Sequence, residues 1–239
     1  MMKRKGEKQG PTTAKEFMDE LASDPEYQRA IEEKRQASER HRLHVAKLEA
    51  PIIAELQAKG CSIPSLSFLV NKDVKLSPEI ADILISWMRR TENNAIAELL
   101  VRPLAATKFP IPGAPLAELF DRFDDDDALR WATTNTMAEA KLTGIEDWLC
   151  RRFPDRSLGS ARQRMATAVA KHVPKERALP LLRDALDDMP GHVAMALRWV
   201  GEREDVERMK EIRDDVKTWE RREIDKAIKR IEKRLAKKG

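Results

Sequence analysis

Aromatic residues and cysteines are scarce in this sequence. Aromatics make up 5% of the 239 residues, with a single tyrosine, so aliphatic side chains must supply the core. The two cysteines, Cys61 and Cys150, lie far apart and lack metal-ligand spacing, so we expect reduced thiols. No segment alternates apolar and polar residues convincingly, and we therefore expect no β-sheet.

Long apolar runs are also missing. No stretch approaches the roughly 18 consecutive apolar residues of a membrane-spanning helix. The opening MMKRKGEKQG leads into charged sequence rather than into the apolar segment typical of a secretory signal. We therefore expect a cytoplasmic protein without a membrane partner.

Motifs for nucleotide binding or nucleophilic catalysis do not occur. Neither G-x-x-x-x-G-K-[ST] nor G-x-G-x-x-G is present. Ser65, Ser86 and Cys150 lack the G-x-S-x-G context that exposes a nucleophile on a sharp turn. We predict that the protein is not an enzyme and has no catalytic or cofactor-binding residue.

Clustered carboxylates and histidines are the candidates for a metal site. Residues 124–127 are four consecutive aspartates, which lack the ligand spacing and glycine of an EF-hand. One of them is expected to cap a helix. His41 and His44 share a helix face but stand among cations, and His172 and His192 are expected at helix ends as surface or capping residues. We therefore predict no metal site.

Charge is abundant but uneven. Charged residues reach 36%, and the net charge is +4. The first ten residues carry +3 and residues 226–239 carry +6, which leaves −5 on the body of the chain. A uniformly basic body would be typical of a nucleic-acid binder, and this body is acidic. The basic last helix is either a solvated end or an electrostatic site for nucleic acid.

A repeat of about 30 residues fills the C-terminal two-thirds of the chain, as is typical of stacked helix pairs. Five clusters of small or apolar residues carry it, and the steps between their central residues are 33, 32, 30 and 32. The central residues are Leu104, Met137, Val169, Trp199 and Ile231. The repeat predicts an all-α fold, a right-handed α-solenoid of about five helix pairs with an N-terminal helical extension.

Breakers and capping residues predict the helix boundaries. The predicted pairs are 78–90 with 93–107, 115–123 with 127–140, 144–152 with 160–172, 175–186 with 191–201, and 205–216 with 219–236. The predicted domains are a disordered basic tail at 1–12, a helical arm and cap at 13–76, and the repeat domain at 77–239.

The N-terminal extension is predicted from its capping signals. Thr13 with Glu16 resembles a capping box that opens a helix over residues 15–22. Asp24-Pro25 starts a second helix that extends to residue 59 and stops at Gly60.

Within this second helix, Pro51 should kink or divide the helix. Residues 46–59 are expected to pack on the body, whereas residues 25–42 are either a solvated arm or are tethered by Tyr27 and Ile31. A further short helix is predicted at residues 62–70, as a cap on the first face of the solenoid.

Two segments carry a family resemblance. DDDDALRWATTNTMAEA resembles the bacterial HEAT-like repeat pattern of an acidic turn followed by a small-residue helix, and TWERREIDKAIKRIEK is similar to a terminal unit. The resemblance covers about residues 78–238. It does not distinguish HEAT repeats from armadillo repeats. It implies protein recognition rather than chemistry. The class also contains DNA glycosylases and bilin lyases, whose sites we do not find here.

The candidate binding surface is a ridge along the second helix of each pair. Positions six before the central residues are Glu98, Trp131, Gln163 and Val193, and positions two before them are Arg102, Asn135, Thr167 and Leu197. Second helices usually line the concave side of such arrays, and tryptophan with arginine is typical of binding hot spots.

From these, the predicted partner-binding residues are Trp131, Arg102, Asn135, Gln163 and Thr167. We predict a protein-binding module or adaptor whose partner the sequence does not identify. The alternative is a HEAT-like nucleic-acid-binding protein related to the DNA glycosylases of that architecture.

Overall fold

The structure, a computed structural model, describes residues 13–71 and 75–237, and the predicted tail at 1–12 lies outside the described residues. About 77% of the described residues are helical, which confirms the all-α fold. Across the described ranges there are thirteen α-helices and two short strands. The helices are α1 (Ala14–Ser23), α2 (Pro25–Ala58), α3 (Ser67–Asn71), α4 (Pro78–Arg90), α5 (Asn94–Leu104), α6 (Ala114–Arg122), α7 (Asp127–Glu139), α8 (Glu146–Arg152), α9 (Gly159–His172), α10 (Lys175–Asp184), α11 (Pro190–Val200), α12 (Arg203–Ile212) and α13 (Thr218–Leu235). Single 3-10 turns occur at Arg156–Leu158 and Arg213–Asp215.

The chain divides into two units, Met1–Leu48 and Glu49–Gly239. In the first unit, α1 begins with the predicted capping box. The Thr13 backbone N–H donates to Glu16 Oε2 at 2.9 Å, and the Glu16 N–H donates to Thr13 Oγ1 at 3.2 Å. The two side chains thereby satisfy N–H groups that the first turn of a helix leaves free. The predicted domain boundary after residue 76 stays a prediction.

The long helix α2 begins and ends as predicted. Asp24 Oδ1 accepts from the backbone N–H of Glu26 at 2.8 Å, and Gly60 adopts φ +81° two residues beyond the helix end. This positive φ is strained for any residue with a Cβ, which explains why glycine ends the helix. Pro51 lies inside α2 and does not divide it, and the other alternative, a kink at Pro51, stays a prediction.

The third helix is shorter than predicted. The expected helix at 62–70 is only Ser67–Asn71. Pro64 explains the difference, because its ring disfavours helical dihedrals at the preceding Ile63. Ile63 and Leu66 are still buried, so the irregular segment contributes to the core.

The second unit contains the helix pairs. Within it, α4 packs on α5, α6 on α7, α8 on α9, α10 on α11 and α12 on α13. The second helix of each pair also packs on its counterpart in the next pair, which joins α5, α7, α9, α11 and α13 into one continuous row. These five are called the second-row helices below. The observed bounds match the predicted pairs to within a few residues, because capping and breaker residues lie at both ends of most of them.

The core of this row is built from small and aliphatic side chains. Leu104, Met137, Val169 and Ile231 have no exposed surface, as their places in the repeat predict. The repeat predicts Trp199 as the fifth buried member of this set. This prediction is wrong, because the Trp199 side chain is 51% exposed.

The reason for this error is a change of step between α9 and α11. Beyond its first residues, α11 buries Val193, Ala194, Ala196 and Leu197. Their spacing matches that of the buried residues of α9 when Leu197 takes the place of Val169, a step of 28 rather than 30 residues. Trp199 therefore falls two positions away from the packed face.

Two three-residue strands contradict the prediction that the chain has no sheet. β1 (Pro110–Pro112) and β2 (Lys141–Thr143) pair in parallel, with Ile111 opposite Leu142. Each strand has a single buried side chain, which is too little alternation to read from sequence. Each strand follows a second-row helix, so the pair links two successive loops. Gly113 directly follows β1 and lies close to Ile145. A Cβ at this position would come within 2.6 Å of the Ile145 side chain, so glycine is required there.

Basic side chains bind the carboxyl ends of preceding helices. Arg122, on α6, donates from its two terminal nitrogens to the carbonyl oxygens of Met88 and Arg89, each at 2.6 Å. These carbonyls belong to the last turn of α4, where no intrahelical N–H remains to bond them. A cation there also interacts favourably with the negative end of the helix dipole.

The same contact recurs twice in the second row. At the end of α9, Lys171 Nζ donates to the Ala138 carbonyl of α7, and His172 Nε2 lies 2.9 Å from the Met137 carbonyl. On α13, Arg234 donates to three carbonyls at the end of α11, those of Arg198 at 2.7 Å, Trp199 at 2.8 Å and Gly201. Each contact joins residues 33 to 36 positions apart, close to the length of one repeat.

We predict that a carboxylate in the second-row core abolishes cooperative unfolding. Leu104→Asp or Val169→Asp places an unpaired charge among apolar side chains, which costs several kcal/mol, on the order of 3 or more. Thermal melts by circular dichroism measure the effect. Ala106→Asp adds the same charge at an exposed position and should melt like the wild type. A wild-type melt for both core variants would show that the repeat register is incorrect.

We also predict that Arg122→Ala lowers the free energy of unfolding by about 1–3 kcal/mol, because two helix-end carbonyls lose their donor. Urea denaturation measures the change. The matched control is Arg151→Ala, which removes an exposed arginine. Equal stability of the two variants would contradict a structural role for the carboxyl-end contact.

Candidate functional site

The outward faces of the second-row helices form the candidate surface. On α7, Leu129, Ala132, Thr133 and Met137 point into the core, which leaves Trp131 and Asn135 half-buried on the opposite side. Residues four apart lie on one helix face, so the indole and the amide are neighbours along the helix. The predicted ridge therefore exists on α7.

Arg102 and Trp131 meet across the groove between α5 and α7. The guanidinium carbon of Arg102 lies 5.7 Å from the centroid of the Trp131 ring, within the range of a cation–π contact. Glu98, one turn earlier on α5, accepts from Arg102 Nε at 2.7 Å. About a third of each of these two charged side chains is exposed. The ion pair orients Arg102 and leaves an ordered, partly apolar surface around the indole.

The remaining predicted residues continue the ridge unevenly. Gln163, on α9, is half-buried, and it borders a pocket of about 370 Å³ that Arg162 and Asp188 also line. Thr167 is only 9% exposed, so it offers little contact area. The structure thus brings Arg102 and Trp131 into direct contact and sets Asn135, Gln163 and Thr167 along the helices beside them.

The predicted continuation of the ridge onto α11 is wrong. Val193 and Leu197 are fully buried. Because the step to α11 is 28 residues, the positions of α11 that remain accessible on this side are instead Met195 and Trp199. The signal that could have found them is the small-residue spacing of α11, in which Ala194 and Ala196 match the alanines of α9.

A basic and aromatic cluster lies where α11 and α13 end, and sequence reasoning missed it. A pocket of about 360 Å³ is lined by Trp199 and five cations, Arg198, Arg230, Lys233, Arg234 and Lys237. The basic stripe of α13 is visible in the sequence. Its association with Trp199 is not, because the predicted step of 30 residues sets Trp199 in register with the buried Val169.

The aspartate run acts as a helix cap. Asp126 Oδ1 accepts from the Leu129 backbone N–H at 2.9 Å, and Oδ2 accepts from the Asn94 side-chain amide at 2.7 Å. These hydrogen bonds hold the pKa of Asp126 below its usual value. In the part of the chain that the structure describes, no three His, Cys, Asp or Glu side chains are grouped as metal ligands.

The four histidines divide into two groups. His41 and His44 are exposed on α2. Burial lowers the pKa of His172, which bonds the end of α7, and likewise that of His192, whose ring meets Trp219 edge-on at 5.0 Å. His172 therefore has the capping role expected from sequence.

Comparison of the chain with protein-family models, curated proteins and solved structures finds no match. Among the helices that the structure describes, none is long and apolar enough to cross a membrane.

We predict that His172 makes stability depend on pH. Its folded-state pKa lies below the unfolded value of about 6.5, so protonation favours the unfolded chain. The stabilisation is complete above that unfolded pKa and falls as the pH drops through it. Urea denaturation at pH 7.5 and pH 5.5 measures the loss, which His172→Gln should reduce, to an extent limited by His192. His41→Gln is the exposed control, and an unchanged loss in His172→Gln would contradict the prediction.

Proposed function

We propose that the second unit is a non-enzymatic protein-binding module, a HEAT-like right-handed α-solenoid of about five helix pairs. Its binding surface is the outward face of the second-row helices, which a curved array would present on its concave side. The family resemblance of the repeat segments and the regular pairing of the helices support this assignment. The single observation that carries the binding site is the contact between Arg102 and Trp131.

The Arg102–Trp131 pair has the properties of a binding hot spot. The indole is half-buried, so its packing fixes its orientation while one part stays open. Its neighbour Arg102 is held by Glu98 and needs little further ordering when a partner arrives. Large aromatic and arginine side chains in such settings supply much of the binding energy of protein interfaces.

The neighbouring polar side chains indicate the kind of partner. Asn135 and Gln163 each offer an amide that both donates and accepts, which matches the N–H and C=O groups of an extended backbone. We therefore propose an extended segment of another protein, with an apolar side chain against Trp131 and its backbone along α7 and α9.

Affinity capture with a matched pair of variants tests the proposal. The full chain and Trp131→Ala are immobilised in parallel, and proteins retained only by the wild type are purified and bound again directly. Trp199→Ala serves as the control, since it removes an exposed tryptophan outside the predicted partner-binding set. Retention of the same proteins by the wild type and by Trp131→Ala would overturn the assignment of the surface.

For the purified complex, we predict that Trp131→Ala weakens binding by about 2 kcal/mol or more, as expected for a central anchor. Arg102→Ala should also weaken binding, and because the two side chains are in contact, the effects should be non-additive. Isothermal titration of the single and double variants measures this coupling.

Thermal stability of the same variants separates binding from packing. If Trp131 is only a part of the core, Trp131→Ala lowers the melting temperature while the folded fraction binds normally. That result, or strictly additive losses in the double variant, would contradict the proposed role of the pair.

A further inference from the structure

Trp199 is the most exposed large hydrophobic side chain among the described residues of the second unit, and its surroundings are basic. It lies in the last turn of α11, and 51% of its surface is accessible. Trp87 and Trp148 donate their indole N–H groups to Glu55 and Asp121, whereas Trp199 donates to no residue that the structure describes. Both the ring and its polar group are therefore available to a ligand.

Arg230 lies against the exposed indole. Its guanidinium carbon is 4.6 Å from the centroid of the Trp199 ring, well within cation–π distance. The contact orders a long side chain without neutralising its charge. Arg230 and Trp199 thus form a preorganised surface that combines an open π system with a cation.

Two of the five cations around this pocket are already used. Arg234 donates to the carbonyls at the end of α11, and Arg198 pairs with Glu223 at 3.3 Å. Lys226 also neutralises Glu223, at 2.6 Å. Glu223 is therefore already paired with Arg198 and Lys226, and it does not neutralise the charge of the other cations in the cluster.

The other three cations are free for a ligand. Arg230, Lys233 and Lys237 form no ion pair with any carboxylate in the described ranges. Their spacing of three and then four residues places Arg230 and Lys233 on one face of α13, with Lys237 in the turn that follows the helix. They form a row about 10 Å long, at 1.5 Å per residue.

We propose that this cluster, Trp199 with Arg230, Lys233 and Lys237, binds single-stranded nucleic acid. A base stacks on the indole beside Arg230, and the phosphates follow the row of lysines. An accessible aromatic ring next to a row of cations is the combination that single strands require, since each nucleotide brings one π face and one negative charge. An acidic peptide would use the cations alone and would leave the indole without a role.

Fluorescence anisotropy of a labelled thymidine oligonucleotide of about ten nucleotides tests the proposal on the full chain. Trp199→Ala should weaken binding about tenfold, the lower part of the range for one stacked base, and Trp199→Phe should recover part of the loss. The exposed position of Trp199 predicts an unchanged melting temperature. Lys233→Ala and Lys237→Ala should each reduce the slope of log affinity against log salt by about 0.7.

Trp131→Ala is the matched control and should bind the oligonucleotide like the wild type. This control separates the proposal from the protein-binding function, because each function should fail in a different tryptophan variant. Three outcomes would overturn the proposal: equal oligonucleotide affinity of Trp199→Ala and the wild type, stronger binding of duplex than of single strands, or equal binding of polyglutamate. The last result would identify the cluster as a site for acidic peptides.

Discussion

The carboxyl ends of helices hold the second unit together through bonds to basic side chains of later helices. A helix ends with carbonyl groups that have no intrahelical donor, and basic side chains of later helices supply donors at three of these ends. Arg122 supplies donors to α4, His172 with Lys171 to α7, and Arg234 to α11. Each donor lies one repeat away from the carbonyls that it bonds. These contacts help to set how far α6 advances along α4, α9 along α7 and α13 along α11.

The two candidate binding surfaces depend on how the second-row helices pack on one another. Trp131 is half-buried beside Arg102, whose charge Glu98 neutralises, so this surface suits an uncharged segment of a protein. Trp199 is more exposed and lies beside cations that have no described partner, so it suits a ligand with repeated negative charge. The second-row helices thus carry one tryptophan in a neutralised setting and another in a basic setting.

Most helix bounds could be predicted because their signals are local. Ser77, Asn93 and Asp126 cap helices through bonds to residues three positions later, and these contacts require no distant partner. The strand pair could not be predicted in this way, because each strand has one buried residue and its partner is about 30 residues away. For the candidate site, the sequence predicts that Trp131 and Arg102 occupy equivalent faces of neighbouring repeats. The contact between the two side chains is visible only in the packed helices.

The sequence by itself determined that this protein is helical, where most of its helices begin and end, and most of the core side chains of α5, α7, α9 and α13. Capping bonds and apolar spacing involve only a few neighbouring residues, so short segments of sequence are enough to predict them. Only the tertiary structure decided the orientation of α11. Its 11 residues admit two registers, and contacts with α9 and α13 select the one that buries Leu197 and exposes Trp199. The surface around Trp199 depends on this register of α11. The register itself is selected by contacts with helices that are distant in the sequence.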